Sequence, residues 1–125
     1  MISTPKEDPK LATSIVHLEE ALHFLDKAKK NPVYSAAISK TYEICLEYAW
    51  KYLKKKIVGE GLETYSPKET IKHAGRLGFI DDVEKWLGYL QDRNLAVHDY
   101  LGIDNADYVK TIQSFLMDVK KLIKK

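Results

Sequence analysis

From Pro9 onward the apolar positions Leu11, Ile15, Leu18, Leu22 and Leu25 recur in alternating steps of four and three, the spacing that lines one face of an α-helix. Asp8 stands at the N-cap position, and this first helix is predicted to end near Asn31-Pro32. A second, longer helix is predicted from Val33 to Val58, with Tyr34, Ile38, Tyr42, Cys45, Ala49 and Tyr52 on one face and Gly59 and Gly61 as its stop. Ser66-Pro67-Lys68-Glu69 has the form of a capping box, opening a short helix to about Leu77 that Gly78 closes. Asp81 is then placed to cap a helix whose apolar face is Val83, Trp86, Leu87, Leu90 and Val97, interrupted by Asn94. The segment Gly102 to Asn105 breaks that helix, and Val109, Ile112, Leu116, Val119 and Ile123 predict a last one. No alternating strand pattern of useful length occurs. The expected fold is therefore all-α: an up-and-down four-helix bundle with one additional short helix at residues 67 to 77.

At 125 residues the chain fits a single domain, residues 1 to 125, in which residues 1 to 7 and the last lysines carry little apolar surface and are expected to be mobile. Three of the four prolines, Pro9, Pro32 and Pro67, fall where a helix can begin. The lone cysteine, Cys45, excludes an internal disulfide. No secretory signal and no apolar run of the ~20 residues needed to cross a bilayer are visible, so a soluble, cytoplasmic protein without membrane contact is expected. A net charge of +2 is too small to imply general nucleic-acid affinity. Lys51, Lys54, Lys55 and Lys56 cluster at one helix end, and Lys120, Lys121, Lys124 and Lys125 at another. Both clusters fit the macrodipole of a helix C-terminus, and RNA contact is the alternative.

Candidate chemistry concentrates in Asp92-Arg93-Asn94-Leu95-Ala96-Val97-His98-Asp99-Tyr100. Arginine offers a permanently charged fork for phosphate oxygens, and histidine exchanges protons near neutrality. Together they can act on a phosphodiester without a metal. Five residues separate Arg93 and His98 by about 140° around a regular helix, so the helix is either distorted after Leu95 or the two groups come from different subunits. Asn94 and His98, four apart, share a face, where Asn94 could orient the imidazole or specify a dimer as a buried amide. His17, His23 and His73 have no companions at metal-ligand spacing, and no metal or cofactor is expected. Trp50 and Trp86, beside apolar stripes, read as core anchors.

Two segments resemble the nucleotidyltransferase substrate-binding protein family of the HEPN superfamily. The first is Tyr42-Glu43-Ile44-Cys45-Leu46-Glu47-Tyr48-Ala49-Trp50-Lys51. The second runs from Ser66-Pro67 through Ile71, Leu77-Gly78-Phe79-Ile80-Asp81-Asp82 and Trp86 to Asp92-Arg93-Asn94-Leu95, His98 and Tyr100. The resemblance covers the chain from about Thr41; before that only helical periodicity matches.

It implies a helical bundle that dimerises, with the motifs of both subunits in one cleft. It further implies the toxin half of a toxin-antitoxin pair: a metal-independent endoribonuclease in which Arg93 and His98 are catalytic, silenced when a minimal nucleotidyltransferase transfers AMP to Tyr100. Asp92, Asn94, Glu43 and Glu47 would be supporting residues, although a solvated helix face explains the two glutamates equally well. Two other readings remain open. One is a non-catalytic subunit that binds nucleotide or substrate for the transferase; the other is a purely structural dimer. The chain cannot itself be the transferase, since it has no Gly-Ser followed by paired metal-binding aspartates.

Overall fold

The computed structural model describes residues 8–99 and 106–123, and of residues 93–99 the backbone only. Its elements among these residues are all helices: α1 (Pro9–Leu22), α2 (Leu25–Ala28), α3 (Pro32–Gly59), α4 (Pro67–Arg76), α5 (Val83–Asp99) and α6 (Ala106–Ile123). The expectations for residues 1 to 7, Tyr100, Gly102 to Asn105 and the final two lysines lie outside the described residues.

Local chemistry accounts for the helix ends. The Asp8 carboxylate accepts the Leu11 N–H at 3.1 Å, Asn31 accepts from Val33 at 2.9 Å and Ser66 from Glu69 at 3.1 Å, each with proline just inside the helix. Glu69 completes its box one residue early, accepting from the Tyr65 N–H at 3.3 Å. At the C-termini of α3 and α4, Gly61 (φ 85) and Gly78 (φ 79) take the left-handed conformation. That turn lets Leu62 N–H reach the Ile57 carbonyl and Phe79 N–H the Ala74 carbonyl, the closing bonds of a Schellman motif.

Three expectations are corrected. The first helix stops at Leu22: His23 and Phe24 bond three residues back, to Glu20 and Ala21, which tightens the turn and stacks Phe24 on Tyr34 with ring centroids 5.7 Å apart. Leu25 therefore belongs to the separate short helix α2. The N-cap of α5 is Asp82, whose carboxylate accepts the Lys85 N–H at 3.1 Å, and not Asp81. The stripe that α6 buries is Tyr108, Ile112, Phe115, Val119 and Leu122; Val109, Leu116 and Ile123 only flank it. The helix is turned that way because Tyr108 and Phe115 enter the aromatic centre of the bundle.

Helices α1, α3, α5 and α6 form the bundle, with α1 and α5 each packed against both α3 and α6. The short connection brings Phe24 after α1 to Tyr34 in the first turn of α3, so those two helices are antiparallel. Tyr42 meets Tyr108 and Phe115 while Tyr52 donates to the Leu122 carbonyl, so α3 and α6 run the same way. Asp92 pairs with Thr111 and Lys85 with Asp118, so α5 runs opposite to α6. This is the up-and-down arrangement. Its centre is a set of edge-to-face rings, Tyr42, Trp86 and Tyr89 around Phe115, at 5.3 to 5.7 Å, each pair contributing about 0.5–1.5 kcal/mol beyond simple burial. Helix α4 packs outside, on α3 and α5.

Candidate active-site end of the bundle

Helix α5 carries the Arg-x4-His pattern in its second half and is unbroken through Asp99, so the backbone at positions 93 and 98 is helical. On such a helix the two positions are about 140° apart. The side chains of Arg93, Asn94 and His98, and all of Tyr100, are outside what the structure describes.

The turn just before Arg93 is described in full, and it is tied on two sides. Toward α3, the buried Tyr42 phenol donates to the backbone carbonyl of Tyr89 at 2.9 Å. Toward α6, the Thr111 hydroxyl lies 2.8 Å from the Asp92 carboxylate, with the Asp107 carbonyl as its other acceptor at 3.0 Å. The Tyr89 phenol itself reaches α6, pairing with Ser114 at 2.9 Å and donating to Asp118. Burial pushes the Tyr89 phenol well above its ordinary range, and the bond to Asp118 adds to it. It is therefore a permanent donor at any physiological pH.

The charges of Glu43 on α3 and Asp92 on α5 both act on the Tyr108 phenol of α6. Burial raises the Tyr108 phenol, its bond to Ser39 at 3.1 Å opposes that, and the carboxylates of Asp92 and Glu43 raise it further. Of the predicted supporting residues, Asp92 directly precedes Arg93 on α5, and Glu43 pairs with Lys40 at 3.7 Å. Glu47 is elsewhere: it accepts from the Trp50 indole at 3.1 Å and pairs with Lys51 at 3.4 Å. Together with Glu43, Ile44 and Tyr48 it lines a shallow groove of about 200 Å³. Trp50, expected in the core, is half-buried and held by this glutamate, whereas Trp86 is a core residue as expected.

Sequence reasoning did not find Ser39, Tyr108 or Thr111, and read Tyr42 as a helix-face position and part of the family pattern rather than for its hydroxyl. Their partners are 69, 69, 19 and 47 residues away, and no local spacing carries that signal. Cys45 is no nucleophile, because burial pushes its thiol up to about 12 against a bond to Ser14 that lowers it. Among the described residues no group of three or more His, Cys, Asp or Glu could hold a metal ion, and no helix is long and apolar enough to cross a membrane. A second cleft, of about 330 Å³, lies at the opposite end of α5 over Trp86 and Leu122. At its rim Asp118 is engaged by Lys85 at 3.1 Å and Lys121 at 3.5 Å.

The described residues thus form an up-and-down helical bundle whose helix α5 carries Arg-x4-His in its C-terminal half. Residues 9–125 match the family described as nucleotidyltransferase substrate binding protein like, and the chain belongs to that family. The fold is similar to that of the tri-AMPylated Shewanella oneidensis HEPN toxin solved in complex with its MNT antitoxin, with a TM-score of 0.77 at 16% identity over 92% of this chain and 89% of that one. A protein of known crystal structure from Thermus thermophilus is 32% identical, with a TM-score of 0.57 over 86% of this chain and 92% of that one. A curated relative in Haemophilus influenzae, described as a probable ribonuclease HepT, is 29% identical over 76 residues, 57% of this chain. The match spans about half that relative's length, 51%.

Proposed function

We propose that this chain is a HEPN-type toxin: a metal-independent endoribonuclease that uses Arg93 and His98. The observation that carries the reading is the motif's place, on one continuous helix of a chain belonging to this family, directly after a turn braced from α3 and α6. In the proposed reaction His98 takes the proton from a ribose 2′-hydroxyl, the freed oxygen attacks the adjacent phosphorus, and Arg93 stabilises charge building on the phosphoryl oxygens. The bond to the 5′-oxygen breaks, that oxygen takes up a proton from water to leave as a 5′-hydroxyl, and the other product carries a cyclic phosphate end. DNA, lacking the nucleophile, is inert.

The separation of the two positions around an unbroken helix supports a composite site in a homodimer, with Arg93 from one subunit facing His98 from the other. Glu43 and Asp92 are assigned as supporting residues; that the charges of both act on the one Tyr108 phenol supports this. Asn94, on the face of His98, is assigned to orient the imidazole. Glu47 has its own partners and is assigned no more than a rim position. Silencing would come from a minimal nucleotidyltransferase that transfers AMP to Tyr100; the tri-AMPylated Shewanella toxin bound to its antitoxin supports such a partner. Added phosphate beside Arg93 would neutralise the catalytic cation.

The test is incubation of the purified protein with total RNA in the presence of a chelator, beside His98→Ala. Cleavage by the parent and loss of ~10²-fold or more in the variant is expected for a general base. Co-expression with the transferase should add mass in multiples of AMP, absent in Tyr100→Phe. The family's own description favours a second reading, in which the chain only binds substrate for the transferase. Tight nucleotide binding by unmodified protein that never cuts RNA would establish that reading instead.

A further inference from the structure

In an α-helix the carbonyl of residue 89 is the acceptor for the N–H of residue 93. That carbonyl is the one the Tyr42 phenol bonds at 2.9 Å. Tyr42 therefore shares an acceptor with the backbone N–H of the motif arginine. Three residues on, Asp92 is held by Thr111 of α6, and Tyr89 is bonded through its phenol to Ser114 and Asp118 of the same helix. A single turn, 89–92, is thus fixed to α3 by its backbone and to α6 by two side chains, and Arg93 is the next residue.

We infer that Tyr42 and Thr111 are positioning residues: they set the rotation and height of α5 at the backbone of Arg93. As a role in catalysis this rests on the ribonuclease reading above. Tyr42 is fully buried, its ring packed edge-on against Tyr108 at 6.0 Å and Phe115 at 5.3 Å, and Thr111 is half-buried with its hydroxyl on Asp92. Phenylalanine would keep both ring contacts and lose only the hydroxyl's bond to the Tyr89 carbonyl. What the hydroxyl adds is a second bond to the carbonyl that registers Arg93. Positional errors near 1 Å can cost ~10²-fold in rate, so an incomplete loss is expected from one bond of two.

Tyr42→Phe and Thr111→Val remove the hydroxyls and keep the shapes. Tyr52→Phe is the control: its buried phenol also donates to a helical carbonyl, that of Leu122, far along α3 from the motif. Each variant is followed by thermal unfolding, by RNA-cleavage kinetics and by the amide resonance of residue 93 in a proton–nitrogen spectrum. The expected result is a similar loss of stability in Tyr42→Phe and Tyr52→Phe. Only Tyr42→Phe and Thr111→Val should shift the residue 93 amide, with kcat down about 10-fold or more and KM within about twofold. A stationary amide in Tyr42→Phe overturns the inference whether or not the parent cuts RNA, as does an equal kcat loss in Tyr52→Phe. A moving amide in a parent that cuts no RNA overturns the ribonuclease reading and leaves the structural coupling in place.

Discussion

Replacing Tyr89 by phenylalanine tests the tie between α5 and α6 on which the motif end of the bundle depends. The phenol donates to the Asp118 carboxylate and pairs with Ser114 at 2.9 Å, while Lys85 and Lys121 keep Asp118 company at 3.1 and 3.5 Å. A hydrogen bond to a charged group contributes about 1.5–3 kcal/mol. The two ammonium groups remain in the variant, so the lower end, about 1.5 kcal/mol, is expected at pH 7. For 125 residues, at ~2.1 cal/mol/K of unfolding entropy each, this lowers Tm by about 6 °C.

The pH dependence has a definite sign. Burial alone would raise the Asp118 carboxyl, but bonds from Tyr89 and Lys85 and the charges of Lys85 and Lys121 outweigh it and hold the group below its ordinary 3.8. A carboxyl depressed in the folded state stabilises the fold above the unfolded value and loses that contribution as pH falls through the folded one. Urea unfolding of parent and variant should therefore show the full gap from pH 5 to 7 and a narrowing gap below about pH 4. A gap that stays constant down to pH 2.5, or one under ~0.5 kcal/mol at pH 7, would refute a charge-assisted bond here.

Gly75→Ala should destabilise by about 1–3 kcal/mol in the same assay, because a Cβ there would overlap a methyl of Val83, a β-branched side chain with little freedom to move. In a Val83→Ala background the penalty should largely vanish, and an undiminished one would locate the strain elsewhere. Cys45 should resist aromatic disulfide reagents at pH 8 in the native protein and react promptly in denaturing urea, since its thiol is buried and pushed up to about 12. Native-state labelling at the rate of a free thiol would contradict that burial.

What the sequence made legible was chemistry that acts within one or two turns. Asp8 as a cap, the Ser66 box, and Gly61 and Gly78 as left-handed stops all depend on neighbours a few residues away, and periodicity alone placed Ile38, Tyr42, Cys45 and Ala49 inside. Packing decided the rest. The stacking of Phe24 on Tyr34 ends α1 early, against an apolar pattern that continues to Leu25. Helix α6 turns Tyr108 and Phe115 inward although Val109 and Leu116 fit the period as well, because large rings fill the centre better than aliphatic groups. The candidate site divides the same way. Arg93 and His98 stand out by spacing on one helix, whereas the bonds from Tyr42 and Thr111 join residues that the fold alone makes neighbours.

That division bears on whether one subunit can hold a complete site. If Arg93 and His98 work from different subunits of a two-fold dimer, Arg93→Ala and His98→Ala should each be inactive alone yet complement each other when mixed. In a heterodimer one site would lack both groups, and the other would join the intact arginine of one subunit to the intact histidine of its partner. With free exchange half the dimers are mixed and half their sites are whole, so about a quarter of the parent's activity should return. A site built within one subunit predicts none, because no single chain in the mixture carries both residues. The assay is RNA cleavage after equimolar mixing, with exchange followed by native mass spectrometry. Background activity from a fully exchanged mixture would refute the composite site, and it would require the helix to bend between positions 93 and 98 for both groups to meet one phosphate.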